Sequence, residues 1–259
     1  MTDVLYYTVA FGDYDCKLAG MVVESLRSSG FTGDAVVFTD RDVALPQATT
    51  VNVTRLKQAE LLQTSAHLYH VRNARGLDYL LMRMIPHHFL DLQRYQYLLF
   101  SDTDVLFFKN PHPGWMDPSS IFIQKDCLSL WQNVSLVGHL FPVDQTTTAG
   151  LPGYCAGIYC LPRKYFSILD EWRELYFRAD PAQRQKISDQ RFLNYLLWNK
   201  SYPVTLMPGV STCAWRENAT ATHYWQNTHQ SMMWDFITRC QPMPAAQSFG
   251  SQFSVGLGV

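Results

Sequence analysis

Asp102 and Asp104 stand two residues apart in the run Tyr97-Leu98-Leu99-Phe100-Ser101-Asp102-Thr103-Asp104-Val105-Leu106-Phe107-Phe108. Two carboxylates beside a turn supply hard oxygen donors, enough to hold one Mn²⁺ or Mg²⁺ that bridges to a diphosphate. The Asp-x-Asp pair alone is weakly specific, because aspartates at turns also cap backbone groups. Its setting says more. Four apolar residues precede it and an apolar run follows, so the acids fall at the carboxyl end of a buried strand, where open α/β sheets bind ligands. Asp40, ending an earlier apolar run, could accept a hydrogen bond from a base or ribose hydroxyl. Ser188-Asp189-Gln190 reads first as a helix start, with Ser188 as cap and Asp189 favourable in the first turn. Arg72 and Arg75 are cationic, but at a helix end they read as solvated surface.

The elements around these residues alternate strand and helix. Residues 4–10 are β-branched and aromatic, Lys17 to Ser28 has helical periodicity, and Ala35 to Phe38 is a short apolar strand ending at Thr39-Asp40. A strand, helix, strand start predicts a parallel sheet. A third strand is expected near Thr49 to Val53, then two or three helices between Leu56 and Leu92, broken around Arg72 to Gly76 and at Pro86. Strand-like segments near Ile121 and Ile158, a helix from Pro162 to Arg178 and a short helix from Ser188 to Leu197 follow. There is no internal repeat. Gln241 to Val259, rich in Gly, Ser, Gln and Ala, reads as a flexible tail.

Composition sets the outer bounds. At 259 residues and 29.8 kDa the chain suits one large α/β domain. With 47% hydrophobic residues, 17% charged residues and a net charge of -1, it is neither disordered nor a basic coat for polyanions, and no nucleic acid is expected as a partner. No apolar run reaches the roughly 18 to 20 residues of a transmembrane span, and the first residues lack signal-peptide character, so a cytoplasmic location is expected. The six cysteines show no CxxC pair and read as reduced thiols. The sequons at Asn52, Asn133, Asn199 and Asn218 are then chance matches. Aromatics at 14% suit either core packing or stacking on bases and sugars.

Five segments together resemble the metal-dependent GT-A glycosyltransferases, especially the glycogenin and lipopolysaccharide galactosyltransferase type (family 8-like). They are the opening strand and loop, Leu81-Met82-Arg83-Met84-Ile85-Pro86 leading into the Asp-x-Asp strand, Gly153-Tyr154-Cys155-Ala156-Gly157-Ile158, Ser188 to Asn194, and Thr222-His223-Tyr224-Trp225. The resemblance covers roughly residues 4–236. It implies an α/β, Rossmann-like GT-A fold with a mixed, mostly parallel sheet flanked by helices in a single domain. Residues 1–240 would form that domain, 1–110 its nucleotide-binding half and 111–240 its acceptor half, with 241–259 as tail.

The resemblance also implies roles. Asp102, Asp104 and His223 would hold Mn²⁺ or Mg²⁺, and Arg83 would reach the nucleotide or donor phosphate. The Ala10-Phe11-Gly12-Asp13 loop would seat base and ribose, with an aromatic face for stacking, and Asp40, Thr103, Gly157 and His229 would complete the donor site. His229 stands where the family often has a lysine on the diphosphate. Asp189 would hold donor-sugar hydroxyls, with Gln190 opposite the leaving group. The implied activity is transfer of a hexose-type sugar from a UDP-sugar, with retention, to an acceptor that is a glycan, a lipid-linked sugar, a small metabolite or a protein. Cys155-Ala156-Gly157 departs from the family's Asn-Ala-Gly; the thiol either packs or reshapes the sugar pocket. Trp215, Tyr224, Trp225 and Trp234 suit a sugar platform or a core. Two other readings remain. Haloacid-dehalogenase-type phosphatases also place Asp-x-Asp after an apolar strand, though normally on the first strand. A non-catalytic nucleotide- or glycan-binding relative is the other.

Overall fold

Leu5, Tyr7, Val9 and Phe11 alternate with Val4, Tyr6 and Ala10, and both sets are apolar, so the segment is at home only with both faces covered. In the computed structural model these residues open strand β1 (Val4–Ala10), and the two sets enter two separate hydrophobic cores, one on each face of a sheet. The structure describes residues 3–56, 79–180, 183–184, 187–212, 216–224 and 233.

Helix α1 (Asp13–Ser28) follows β1. It turns Leu18, Ala19, Val22, Val23 and Leu26 inward at helical spacing, with Asp13 and Asp15 in its first turn and Arg27 in its last, each favourable to the helix dipole. Gly30, at φ 90°, lets the chain leave the helix, in a region that a side chain would strain. Strands β2 (Asp34–Thr39) and β3 (Thr49–Asn52) pair in parallel beyond β1. Helix α2 (Tyr79–Met84) then leads through 3₁₀ turns at Pro86–His88 and Leu92–Arg94 to β4 (Tyr97–Ser101), parallel to β1 on its other side.

Strand β5 (Val105–Phe107) leaves the main sheet, and a short helix α3 (His112–Trp115) precedes β6 (Ile121–Ser129). Helices α4 (Leu130–Val134) and α5 (Gln145–Thr148) lead into β7 (Pro152–Pro162), which runs antiparallel between β4 and β6. Helices α6 (Ile168–Arg178) and α7 (Asp189–Asn199) follow. The chain then forms β8 (Val204–Leu206), β9 (Val210–Thr212) and β10 (Ala221–His223).

The main sheet has seven strands in the order β3-β2-β1-β4-β7-β6-β8, and a second sheet has the order β5-β10-β9. The fold is therefore α/β, a mostly parallel mixed sheet covered by helices in one domain. Phe38, Phe100, Tyr159, Trp172 and Phe192 fill one core, and α1 with β5 closes the other. Each such large side chain contributes about 1.5 to 3 kcal/mol by leaving water.

Most expected elements are present, with shifted ends. Helix α1 begins at Asp13 rather than Lys17, and the expected Pro162 to Arg178 helix starts only at Ile168, because Arg163–Tyr165 forms a 3₁₀ turn. Of the helices expected from Leu56 to Leu92, α2 lies among the described residues, while positions 57–78, including Arg72 and Arg75, lie outside them, as does the expected tail. No helix among the described residues is long and apolar enough to cross a membrane.

Candidate active site

Strands β4 and β6 point the same way across antiparallel β7, so their carboxyl ends share one edge of the sheet. Asp102 and Asp104 lie in the turn that leaves β4. Their backbone is pinned: Asp102 N donates to Gly157 O of β7 at 2.8 Å, and Tyr224 N donates to Asp104 O at 2.8 Å. Pairing of β10 with β5 sets His223 opposite Val105, next to Asp104. His223 Nε2 is 3.2 Å from Asp104 Oδ1, and one donor atom each from Asp102, Asp104 and His223 lie within 4.8 Å of one another. Two carboxylate oxygens with one imidazole nitrogen form a donor set that fits Mn²⁺.

The imidazole is fixed from behind. Nδ1 lies 2.8 Å from Gln124 Oε1, and Gln124 Nε2 donates to Thr212 Oγ1 at 3.2 Å. An amide oxygen only accepts, so Nδ1 carries a proton and Nε2 is the nitrogen left to face a cation. Gly157 makes room for this ring, since a Cβ there would overlap His223 Cε1 and sit 2.9 Å from Nδ1. Cys155 Sγ lies 3.8 Å from the same Nδ1.

Arg83 stands across from these ligands, 5% exposed, its guanidinium 5.1 Å from the centre of the Phe100 ring. Nη2 donates to Asp102 Oδ1 at 2.7 Å, and Nη1 is ion-paired with Asp189 Oδ2 at 3.1 Å. The hydroxyls of Tyr7 and Tyr159 converge on the Arg83 carbonyl oxygen at 2.5 and 3.1 Å, fixing the end of α2 against the sheet. Asp189, at the start of α7, is held through its carbonyl, which accepts from Trp172 Nε1 at 2.9 Å.

Gln190 is fully engaged: its Oε1 accepts from Ala156 N at 3.0 Å and its Nε2 donates to Asp126 Oδ2 at 2.8 Å. Asn133 Nδ2 donates to the same Asp126 oxygen at 2.9 Å. That buried amide belongs to one of the four sequons, and its role here is internal.

Burial pushes the Asp102 carboxyl up to about 6; Arg83 works against the rise and Asp104 adds to it. Burial disfavours a charge on His223, but the Asp104 carboxylate outweighs it and holds the imidazole well above its usual value. His223 and Asp104 thus form an ion pair, with a proton on Nε2 facing the Asp104 carboxylate.

Arg83, Asp102, Asp104, Gln124, Asp126, Cys155, Gly157, Asp189, Gln190 and His223 all line a cavity of about 470 Å³. Of the expected donor-site residues, Thr103 lies in the turn but does not line it, and His229 lies outside the described residues. Ala10, Phe11, Gly12, Asp13 and Asp40 gather at the same sheet edge, beyond the cavity. There, Gly12 N donates to Asp40 Oδ1 at 2.8 Å, so the carboxylate first serves the loop itself.

One expectation is corrected. Phe11 is 2% exposed and packs in the core, so it offers no stacking face; it continues the inward alternation of β1 past the strand's end. Arg83, expected to reach a phosphate, lines the cavity and is paired there with the carboxylates of Asp102 and Asp189. Tyr224 is core rather than platform, and Trp215, Trp225 and Trp234 lie outside the described residues. Cys155 lines the cavity while Cys160 is buried in the core, and burial pushes the Cys160 thiol up. Both are free thiols, as are Cys16 and Cys127.

Gln124, Lys125 and Asp126 line the cavity without having been singled out in the sequence. A signal was there: Ile121-Phe122-Ile123 passing into Gln124-Lys125-Asp126 repeats, on β6, the apolar-to-polar transition that marks Asp102 on β4. No family model matches the chain, and no curated protein matches it.

Proposed function

We propose that the chain is a metal-dependent glycosyltransferase that moves a hexose-type sugar from a UDP-sugar to an acceptor hydroxyl with retention of configuration. The observation that carries this reading is the convergence of Asp102, Asp104 and His223 in one cavity with Asp189 and Gln190. Asp102, Asp104 and His223 would hold Mn²⁺. When bound, the cation stabilises negative charge developing on the departing diphosphate.

The chain's own groups account for the rest. The carboxylates of Asp102, Asp104, Asp126 and Asp189 still outnumber the cations Arg83, Lys125 and protonated His223, so the bare cavity is not a site for a diphosphate without further positive charge. Asp189, whose carboxylate pairs with Arg83 and whose carbonyl accepts from Trp172 Nε1, would accept from sugar hydroxyls. Gln190, locked at both ends of its amide, is a fixed wall and not a nucleophile. Transfer on one face of the sugar suits this set: the acceptor oxygen bonds to the anomeric carbon as the bond to diphosphate breaks, and the acceptor proton passes to the departing phosphate oxygen.

The test is the midpoint of thermal unfolding with UDP, GDP, CMP or ATP, each with and without Mn²⁺. At a hundred times the dissociation constant a ligand adds about 2.7 kcal/mol, or a shift of about 5 to 11 °C for a domain of this size. A shift with UDP that requires Mn²⁺ is expected. No response to any nucleotide, or release of phosphate from a phosphomonoester, overturns the reading.

A further inference from the structure

Outside the cavity, a second group of metal-ligating side chains joins the turn after α2 to the first turn of α6. His87 Nε2 lies 3.1 Å from Asp170 Oδ1, and the rings of His87 and His88 are 4.4 Å apart between centres. His88 Nε2 lies 3.0 Å from Arg173 Nη1, and Arg173 Nη2 lies 3.7 Å from the same Asp170 oxygen. One donor atom from each of His87, His88 and Asp170 falls within 4.8 Å of the others.

An arginine only donates, so the His88 Nε2 lone pair points into this cluster. Two imidazole nitrogens and a carboxylate oxygen therefore face one spot, and a positive group, the Arg173 guanidinium, already stands beside it. We propose that His87, His88 and Asp170 form a second metal site, for a borderline divalent ion of the Zn²⁺ class, which displaces Arg173 on binding.

Chemistry separates this site from the one in the cavity. Two nitrogens in three ligands favour Zn²⁺, Ni²⁺ or Co²⁺ over Mg²⁺ or Ca²⁺, and three protein ligands leave a fourth position for water. Bonds of about 2.0 to 2.2 Å set the donors of a tetrahedral ion roughly 3.3 to 3.6 Å apart, so donors that already lie within 4.8 Å of one another, His87 Nε2 and Asp170 Oδ1 at 3.1 Å, need only a small adjustment. The side chains can supply that, since those of His87, Asp170 and Arg173 are 25%, 46% and 29% exposed. Arg173 sits three residues after Asp170 on the same helix and can swing to solvent on its long stem.

Occupancy would cross-link two elements that lie behind residues of the cavity wall. The turn bearing His87 and His88 follows α2, which carries Arg83, and α6 carries Trp172, which holds the Asp189 carbonyl.

The experiment is a Zn²⁺ titration of the full chain against a chromophoric chelator, run in parallel on Asp102→Asn so that an equivalent bound in the cavity is told apart from one bound here, with Co²⁺ as an absorbance probe. Asp170→Asn, isosteric and half-exposed, is expected to weaken Zn²⁺ binding at least tenfold and to abolish the intense visible bands of tetrahedral Co²⁺; His88→Gln checks the result on a second ligand. Arg173→Met, which removes the competing cation, is expected to tighten binding severalfold. Asp102→Asn is expected to leave this Zn²⁺ equivalent in place. Unchanged affinity in Asp170→Asn and His88→Gln, no tightening in Arg173→Met, or loss of the equivalent in Asp102→Asn overturns the proposal. Because the site shares no ligand with the cavity, these outcomes are independent of the glycosyltransferase reading.

Discussion

Three residues meet at His223, and each makes a separable contribution. Gln124 selects the nitrogen, Asp104 faces it and Gly157 leaves it space. Partners behind a metal-bound histidine typically affect affinity by about 10 to 100-fold. Gln124→Leu is therefore expected to weaken Mn²⁺ binding by about that factor, read from the free-ion electron paramagnetic resonance signal, and to lower the unfolding midpoint, because it leaves the buried Nδ1–H without its acceptor. An unchanged affinity would mean that Gln124 only packs. Gly157→Ala is expected to do more, since the added methyl displaces the ring; Mn²⁺ binding at wild-type strength in that variant would contradict the geometry. Asp102 and Asp104 could be singled out in the sequence because their types and neighbours are local facts, whereas His223 came only with the family resemblance. Gln124 could not, because its importance comes from a ring nearly a hundred positions away.

Elements hold these residues through a few buried polar ties. Asn194 on α7 is the clearest: its Oδ1 accepts from Tyr154 N at 2.8 Å, and its Nδ2 donates to Tyr154 O at 2.7 Å and to Gln190 O at 2.9 Å. One side chain thus substitutes for a missing neighbour strand along β7 and fixes the helix that carries Asp189 and Gln190. Asn194→Ala leaves a buried backbone donor and acceptor unpaired at about 1 to 3 kcal/mol each. A drop of several degrees in the unfolding midpoint is expected; a drop below one degree would show that water replaces the amide. The start of α7 was legible from Ser188-Asp189, and β1, β2 and β4 from their apolar runs. Strands β8, β9 and β10 were not, since three-residue strands carry no period and exist only through their partners. Phe11 was misjudged for a related reason. A residue after a strand reads as loop, although the alternation Leu5, Tyr7, Val9 already pointed it inward.

Over the whole molecule, tyrosine hydroxyls that are buried in the cores or held by carboxylates at their margin make stability sensitive to alkali. Burial raises the pKa of Tyr6, Tyr7 and Tyr159, and burial together with Asp34 and Glu171 takes Tyr95 and Tyr202 to about 12. Folded values above the unfolded value near 10 mean that the contribution of these groups is fully present below about pH 10 and is lost as pH rises through the folded values. Tyrosinate absorbance from these residues is expected to appear together with loss of the near-ultraviolet circular dichroism signal. Ionisation well before unfolding would show that the cores admit water.

The two acids of the turn after β4 also impose an order on assembly. Asp104 is made early in synthesis, whereas β10, which brings His223 to it, lies near the far end of the described chain. Until that strand docks on β5, Asp102 and Asp104 face each other without the imidazole, and the main sheet can already be in place. The cluster is thus completed late: a chain stopped before Ala221 would hold every strand of the main sheet and lack the imidazole, and a cation that bound the completed cluster would favour the docked strand.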